Sequence, residues 1–125
     1  MEAEDPRPGI GRRGENAALE WYVRAGYRPV ARNWRCRLGE IDLVVARGAV
    51  LAVCEVKTRR GSSLGGPYES VTARKQEKLR RLAHAFLSSE SRALGAAEPF
   101  DVRFDVASVT VGQSSVEVHV FEDAF

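Results

Sequence analysis

Two consecutive apolar runs that each carry charged residues constrain the fold of this chain more than any other feature. The runs cover 38–46 and 50–57, and Arg47-Gly48 between them is a plausible turn. Apolar runs of this length that are bounded by turn signals are typical of buried β-strands. The sequence therefore predicts a β-hairpin within a sheet, and this hairpin carries Asp42, Glu55 and Lys57.

The charged residues of this hairpin predict a functional site. A regular register that places the apolar side chains on one face places the charged ones on the other. The apolar set is Ile41, Leu43, Val45, Ala52, Cys54 and Val56, and the charged set is Glu40, Asp42, Glu55 and Lys57. Buried charges need a partner, so one interpretation is a cross-strand ion pair of Lys57 with Glu40 or Glu55. The added carboxylate of Asp42 favours a site for a divalent cation with oxygen ligands.

Length and composition predict one domain that covers 1–125. With 125 residues and 44% hydrophobic residues, the chain can bury one modest core. Residues 1–11 are expected to be a flexible N-terminus. The start of the chain is charged and lacks the apolar core of a secretory signal. No run is long enough to span a membrane. We therefore expect a cytoplasmic protein without a membrane partner.

Positive charge is concentrated in the part of the chain that holds the hairpin. Residues 7–81 contain 17 Lys and Arg against 7 Asp and Glu, whereas the rest contains 2 against 10. Such a basic segment favours nucleic acid as the partner, although single arginines often only solvate a surface. The candidate nucleic-acid-binding residues are Arg35, Arg37, Arg59, Arg60, Arg74, Lys75 and Lys78.

Five further elements are predicted around the hairpin. Helices are expected over about 12–25 and 72–89, the second capped by Ser70 or Thr72, and strands over 27–34, 102–111 and 116–121. Pro29 lacks a backbone donor, so the first strand should be an edge strand or irregular there. The Gly- and Ser-rich segment 58–68 is expected to be a mobile loop. Arg103 and Asp105 share one face of their strand, either as a structural ion pair or as part of a cleft.

The chain resembles a known family. Asp42 followed by Glu55-x-Lys57 resembles the active-site motif of the PD-(D/E)XK nucleases, although Ile41 replaces their usual proline. The whole chain resembles the YraN family of bacterial proteins, which is assigned to that superfamily and likened to archaeal Holliday-junction resolvases. The resemblance runs from Gly14-Glu15 through RNWRCRLGEIDLV, CEVKTR, VTARKQEKL, RFDV and the closing DAF. It implies an α/β fold, namely a restriction-endonuclease-like three-layer α/β/α domain with a central mixed β-sheet.

The resemblance also implies an activity and roles for residues. The chain would be an endonuclease dependent on Mg²⁺ or Mn²⁺ that cleaves DNA, including branched DNA in repair or recombination, and related junction enzymes act as homodimers. Asp42, Glu55 and the carbonyl of Val56 would hold the metal, and Lys57 would position the attacking water. Glu15 and Gln76 would support them, and Glu40 would bind a second metal or Lys57. The main alternative is a non-catalytic nucleic-acid-binding module with the same fold.

Two of these supporting roles have simpler structural alternatives. Glu15 falls near the start of the predicted first helix, where the helix dipole favours a carboxylate without any function. Gln76 lies on the apolar stripe of the second helix, where its amide needs hydrogen-bond partners. It either orients a catalytic group or is a capped or solvent-edge glutamine without a catalytic role. The sequence leaves both alternatives open.

Overall fold

Two helices and five strands make up the structure, which is a computed structural model that describes residues 8–61, 71–94 and 101–125. The elements in chain order are α1 (Pro8–Arg24), β1 (Arg28–Cys36), β2 (Gly39–Arg47), β3 (Val50–Arg60), α2 (Ala73–Leu94), β4 (Asp101–Val111) and β5 (Val116–Phe121). Each predicted helix and strand is present. The largest differences are at the helices, since α1 begins before 12 and α2 continues beyond 89.

The five strands form one mixed sheet with the order β1-β2-β3-β4-β5. The β3–β4 pair is parallel and the other three pairs are antiparallel. Parallel neighbours need a long crossover connection, and α2 lies within the connection between β3 and β4. The prediction of an α/β domain with a central mixed sheet is confirmed.

Each face of the sheet packs against one helix. On one face, Ala18 and Tyr22 of α1 pack with Leu43 and Cys54 in a buried cluster, which we call the α1-side core. On the other face, the apolar stripe of α2 forms the α2-side core, whose members include Val44, Val53, Leu79, Leu82, Phe86 and Val106. The two helices thus cover opposite faces, and the predicted three-layer α/β/α architecture is confirmed.

The proline in the first strand has the effect that its chemistry predicts. β1 lies at one edge of the sheet and pairs with β2 alone. Its register shifts between Pro29 and Ala31. The structure therefore has both features that a missing backbone donor favours, an edge position and an irregular ladder.

Part of the predicted mobile loop is strand. Thr58, Arg59 and Arg60 continue β3, because they pair in parallel register with residues 109–111 of β4. The backbone carbonyl of Val111 also accepts a hydrogen bond of 3.1 Å from the N–H of Gly61. The prediction of a loop is therefore wrong for 58–60, and its remainder from 62 to 68 lies outside the described residues.

The predicted flexible N-terminus and the hairpin turn also need correction. Residues 8–11 form the first turn of α1, whereas 1–7 lie outside the described residues. The turn between β2 and β3 consists of Gly48 and Ala49 rather than Arg47-Gly48, because Arg47 still pairs with Val50. Gly48 has a φ of +60°, a conformation that glycine adopts without steric strain. Neither helix is long and apolar enough to cross a membrane in the described ranges.

Candidate functional site

The charged ends of β2 and β3 lie where these strands stop pairing. Their ladder ends at the pair Leu43↔Cys54. Leu43 and Cys54 belong to the α1-side core together with Val45 and Ala52, as predicted, but Ile41 packs in the α2-side core. The predicted single apolar face is therefore wrong for Ile41, which still pairs with Trp34 of β1 but lies on the opposite face from Leu43.

Asp42 sits at this break and has three acidic neighbours. Its Oδ2 accepts a hydrogen bond of 2.8 Å from the backbone N–H of Val56 on β3. Burial, followed by the charge of Glu55, raises the pKa of Asp42 from an ordinary value of 3.8 to about 7. The N–H of Val56 lowers this pKa, whereas Glu15 and Glu40 raise it. Four carboxylates from α1, β2 and β3 thus lie within electrostatic reach of one another.

A glycine lets α1 bring Glu15 to this cluster. A Cβ at Gly14 would overlap the side chain of Thr58, so α1 and β3 can approach this closely only with glycine at that position. Because α1 begins at Pro8, Glu15 lies in the middle of the helix rather than in its first turn. The helix dipole therefore does not account for this carboxylate, which is 21% exposed.

Asn33 connects two of the carboxylates and was not predicted from the sequence. Its Nδ2 donates hydrogen bonds to Oε2 of Glu15, at 3.1 Å, and to Oε2 of Glu40, at 3.0 Å. The register of β1 and β2 places Asn33 opposite Asp42. Its φ of +49° is uncommon for a residue other than glycine, and such residues are frequent at functional sites. The only sequence signal is an asparagine within a strand, where this residue is depleted.

Three cations from neighbouring elements lie beside the carboxylates. The ion pairs, each with an N–O distance of 3.6 Å, are Arg32 with Glu15, Arg35 with Glu40, and Lys75 with Glu55. The side chain of Arg35 is 76% exposed, and exposed pairs contribute little to stability. Arg35 and Lys75, which we predicted to contact nucleic acid, thus lie at the rim of the acidic cluster.

Lys57 has a different environment from these cations. It is half-buried on β3, and by strand alternation it lies on the same face as Glu55. Its ammonium group makes no hydrogen bond or ion pair with another described residue.

Gln76 has a structural contact of its own. Its Nε2 donates a hydrogen bond of 2.9 Å to the carbonyl of Val71, just before α2. The hydroxyl of Thr72 caps the same helix by accepting a bond of 3.1 Å from the N–H of Lys75. The capping of α2 by Thr72 confirms one of the two predicted caps. The supporting catalytic role of Gln76 stays a prediction.

Two of the predicted nucleic-acid-binding residues line a depression between α2 and the β1–β2 turn. Arg74 and Lys78 are exposed and border a depression of about 310 Å³, together with Leu38 of the turn. Arg37 is exposed in the same turn. This end of the molecule is continuous with β2, which leads from the turn to Glu40 and Asp42.

The remaining basic candidates lie at the end of β3. Arg60 borders a second depression, of about 480 Å³, together with Arg13 of α1. Arg59 precedes it on β3 and is half-buried. Of the predicted basic residues, Arg74 and Lys78 thus border one depression and Arg60 the other, whereas Arg35 and Lys75 lie at the acidic cluster.

The carboxylate oxygens of the cluster are suitable ligands for a hard cation that keeps part of its water shell. Among 8–61, 71–94 and 101–125, no three His, Cys, Asp or Glu side chains converge closely enough to hold a metal ion by themselves. Asp42 and Glu55 nevertheless supply two neighbouring carboxylates, and Mg²⁺ is commonly bound through one or two carboxylates, water and substrate phosphate. A cation would also relieve the repulsion that raises the pKa of Asp42.

Comparison with known proteins gives one consistent result. The sequence profile of the family described as "Uncharacterised protein family UPF0102" matches residues 14–109. A UPF0102 protein of Symbiobacterium thermophilum is 46% identical over 93% of this chain and 95% of its own length. A UPF0102 protein of Acidothermus cellulolyticus is 45% identical over 82% of this chain and 82% of its own length. A UPF0102 protein of Mycolicibacterium gilvum is 46% identical over 90% of this chain and 89% of its own length.

Proposed function

We propose that this chain, which belongs to the YraN family, UPF0102, is a divalent-metal-dependent endonuclease that cleaves DNA. The family is described as uncharacterised, so the proposal rests on the site itself. The observation that carries it is the half-buried Asp42, whose pKa is raised to about 7 by burial and then by Glu55, with Glu15 and Glu40 also raising it. Groups with such perturbed pKa values are concentrated at functional sites.

Each residue of the cluster has a chemical role in this proposal. Asp42, Glu55 and the carbonyl of Val56 would hold Mg²⁺ or Mn²⁺. When bound, the cation supplies positive charge against the phosphate and lowers the pKa of water. Lys57 would orient the attacking water and stabilise the negative charge that develops on the phosphate.

Hydrogen bonds from a neighbouring amide orient two of the carboxylates. Asn33 holds Glu15 and Glu40 through its amide, so it would act as a positioning residue for both. Glu40 is a candidate ligand of a second metal, and Glu15 an additional acidic member of the site. Gln76 would complete this set only if its amide leaves the carbonyl of Val71.

The basic residues support nucleic acid as the substrate. Arg74 and Lys78 on one side of the cluster, and Arg60 on the other, would bind the phosphate backbone, an attraction that weakens with salt. The finer proposal is DNA with a branched or junction structure, cleaved in the cytoplasm by a homodimer, as the resemblance to resolvases implies.

One observation favours a second candidate function, a nucleic-acid-binding module without catalysis. Lys75 lies 3.6 Å from Glu55 and already balances one of the two proposed metal ligands. With this pair intact, Asp42 would be the only carboxylate free for a cation between β2 and β3. The nuclease therefore requires Lys75 to release Glu55, for example to a phosphate of bound DNA.

Cleavage assays separate the two functions. Purified protein is incubated with labelled single-stranded, duplex and four-way-junction DNA in Mg²⁺, Mn²⁺ or EDTA. The nuclease predicts metal-dependent cleavage that Asp42→Asn and Lys57→Gln each reduce by about 10³-fold or more, in the range for loss of a group that stabilises a transition state. Asn at 42 keeps an oxygen for the N–H of Val56, so the substitution removes charge with little change in shape.

The matched control for these variants is Asp101→Asn. Asp101 is an exposed aspartate at the start of β4, and its neutralisation should leave cleavage unchanged. DNA binding without cleavage by the wild-type protein on each substrate would favour the binding module. Cleavage that survives Asp42→Asn would contradict the proposed site.

A further inference from the structure

Leu38 is an exposed apolar side chain at the tip of a basic hairpin. It is 46% exposed in the two-residue turn between Cys36 and Gly39, which form the last pair of the β1–β2 ladder. Arg37 precedes it in the turn, and Arg35 lies one residue before the turn. A single exposed apolar residue is ordinary by itself, so its neighbours decide whether it has a role.

Leu38 and α2 together form a concave surface. Leu38, Arg74, Lys78, Arg81 and Glu77 line the depression of about 310 Å³, which is at the lower end of the range of about 300–1,000 Å³ for small-molecule sites. Glu77 lies 3.4 Å from Arg81, so its charge is balanced within the depression. The surface thus combines an apolar side chain with a net positive charge.

The turn is held against α2. A Cβ at Gly39 would lie 2.9 Å from Cε of Lys78 and 3.7 Å from Cδ1 of Leu82, so the backbone of the turn packs directly on these side chains. Gly39 has a φ of +146°, in the range that favours glycine. Leu38 is therefore presented from a fixed position.

We propose that this depression binds one unpaired nucleotide of DNA, with its base against Leu38 and its phosphate on Arg74, Lys78 and Arg81. The proposal rests on the proposed nuclease function and adds a specificity-determining site to it. Apolar side chains such as Leu insert beside DNA bases and partly unstack them, and a basic groove binds the adjoining phosphates. The protein would thereby select DNA in which a nucleotide is unstacked or unpaired over a continuous duplex.

The depression lies close enough to Asp42 for one DNA strand to reach both. Leu38 is in the turn just before β2, and Asp42 is four residues further along the chain, or about 13 Å at about 3.3 Å per residue. This distance matches about four base-pair steps of 3.4 Å. A strand that enters the depression can therefore pass the acidic cluster, and cleavage would occur about four nucleotides from the unpaired base.

A binding assay in EDTA tests this site without any cleavage. Two duplexes carry 2-aminopurine at the same position, either as one unpaired nucleotide or opposite thymine. The wild-type protein should bind the first duplex about fivefold more tightly than the second, a modest value for one base contact, and should raise its fluorescence as the base leaves the stack. Leu38→Ala should lose both effects, and Leu38→Met should retain them.

Two further variants serve as controls. Val23→Ala removes an equally exposed apolar side chain, 49% exposed, from α1 and should change neither effect. Lys78→Gln should weaken binding of the duplex with the unpaired nucleotide more than binding of the paired duplex, because Lys78 contacts the phosphate of the nucleotide that enters the depression.

The outcomes that overturn the proposal are distinct from those that overturn the nuclease. Equal binding of the two duplexes by the wild-type protein, absence of binding to both, or unchanged behaviour of Leu38→Ala would each reject the nucleotide site. The nuclease is judged separately by the dependence of cleavage on Asp42, which can persist when Leu38 has no effect.

Discussion

Two aspartates on the strands that flank β3 differ in how their charge is balanced. Asp105 on β4 is fully buried and accepts four hydrogen bonds. The donors are the hydroxyl of Tyr22 at 2.6 Å, the guanidinium of Arg103 twice, at 2.9 and 2.8 Å, and the backbone N–H of Asp123 at 3.0 Å. Asp42 on β2 is only half-buried, yet among the described residues it accepts one hydrogen bond and faces three other carboxylates. The more deeply buried charge is thus the better satisfied one.

The surroundings of Asp105 identify it as a structural group. Arg103 donates to Asp105 and also to the hydroxyl of Tyr27, and the bonds to Asp105 raise the pKa of Arg103. Burial raises the pKa of Tyr22, and the charges of Cys54 and Asp105 add to this increase. The network joins α1, β4 and the C-terminal residues, so of the two alternatives that the sequence left open, Arg103 and Asp105 form a structural ion pair.

The comparison indicates what each carboxylate contributes. Fully hydrogen-bonded buried charges stabilise the arrangement that surrounds them, whereas carboxylates that repel one another reduce stability and are retained for function. We therefore expect substitutions at Asp105 to destabilise the protein, and neutralisation of Asp42 to stabilise it while abolishing activity.

The largest effect is expected for Asp105→Ala. The substitution leaves the guanidinium of Arg103 and the hydroxyl of Tyr22 without their buried acceptor, so the free energy of unfolding should fall by about 3–5 kcal/mol. Urea unfolding monitored by circular dichroism measures this loss. The exposed Asp101→Ala should change the free energy by less than about 0.5 kcal/mol, and similar values for the two variants would contradict the structural role of Asp105.

A smaller loss is expected when one donor is removed from the same network. Tyr22→Phe keeps the ring in the α1-side core but deletes the hydroxyl that donates to Asp105. We expect the free energy of unfolding to decrease by about 1.5–3 kcal/mol, the range for hydrogen bonds to charged groups. An unchanged midpoint of urea unfolding would indicate that the bonds from Arg103 suffice.

Asp42→Asn, by contrast, is expected to increase the free energy of unfolding, and the size of this increase should depend on pH. The folded protein holds a proton on Asp42 up to about pH 7, whereas the unfolded chain releases it near 3.8. Ionised Asp42 therefore destabilises the fold increasingly as the pH rises from about 4 to 7, and fully above 7. We expect the gain in unfolding free energy from Asp42→Asn to be about 1–2 kcal/mol larger at pH 8 than at pH 5, allowing for the partial exposure of the group.

Urea unfolding at the two pH values measures this difference, with Asp101→Asn as a control that should show none. A gain from Asp42→Asn that is the same at pH 5 and pH 8 would contradict the raised pKa. A loss of stability at pH 8 would show that the cluster is stabilising without a cation.

The smallest effect is expected at Asn33, where strain and function can be separated. Asn33→Gly removes the amide but tolerates the φ of +49°, so the free energy of unfolding should stay within about 0.5 kcal/mol of the wild-type value. Asn33→Ala must adopt the same φ with a Cβ, so it should be less stable than the glycine variant by about 1 kcal/mol. Both variants should reduce cleavage equally, because each loses the bonds to Glu15 and Glu40. Unequal cleavage would mean that strain, rather than the amide, supports the site.

The helices and strands and their order along the chain could be predicted from the sequence because the relevant signals are local, whereas the three-layer arrangement was implied by the resemblance to a known family. Apolar runs predicted β2 and β3, and Pro29 predicted the irregular edge of β1. The segment 58–60 was predicted incorrectly because its strand conformation depends on pairing with β4, which lies more than 40 residues away in the sequence. Local composition carries no information about such a partner.

The site was predicted less completely, for a related reason. Alternation placed Glu40, Asp42, Glu55 and Lys57 on one face, but the ladder ends at Leu43↔Cys54 and Ile41 turns into the α2-side core. Asn33 was missed because a positive φ cannot be read from an isolated asparagine and because its bond to Glu15 forms only once α1 has docked. The depression beside Leu38 likewise requires the turn to pack on α2.

The central claim is that the carboxylates around Asp42 are kept for a divalent cation, and binding of Mn²⁺ tests it most directly. Mn²⁺ is titrated into the wild-type protein, Asp42→Asn and Asp101→Asn at pH 8, with and without a short duplex DNA, and the bound fraction is measured from the electron paramagnetic resonance signal of free Mn²⁺. We expect the wild-type protein and Asp101→Asn to bind Mn²⁺, and Asp42→Asn to bind it at least about tenfold more weakly, which corresponds to about 1.4 kcal/mol. Equal binding by all three proteins, or binding by none with DNA present, would contradict it.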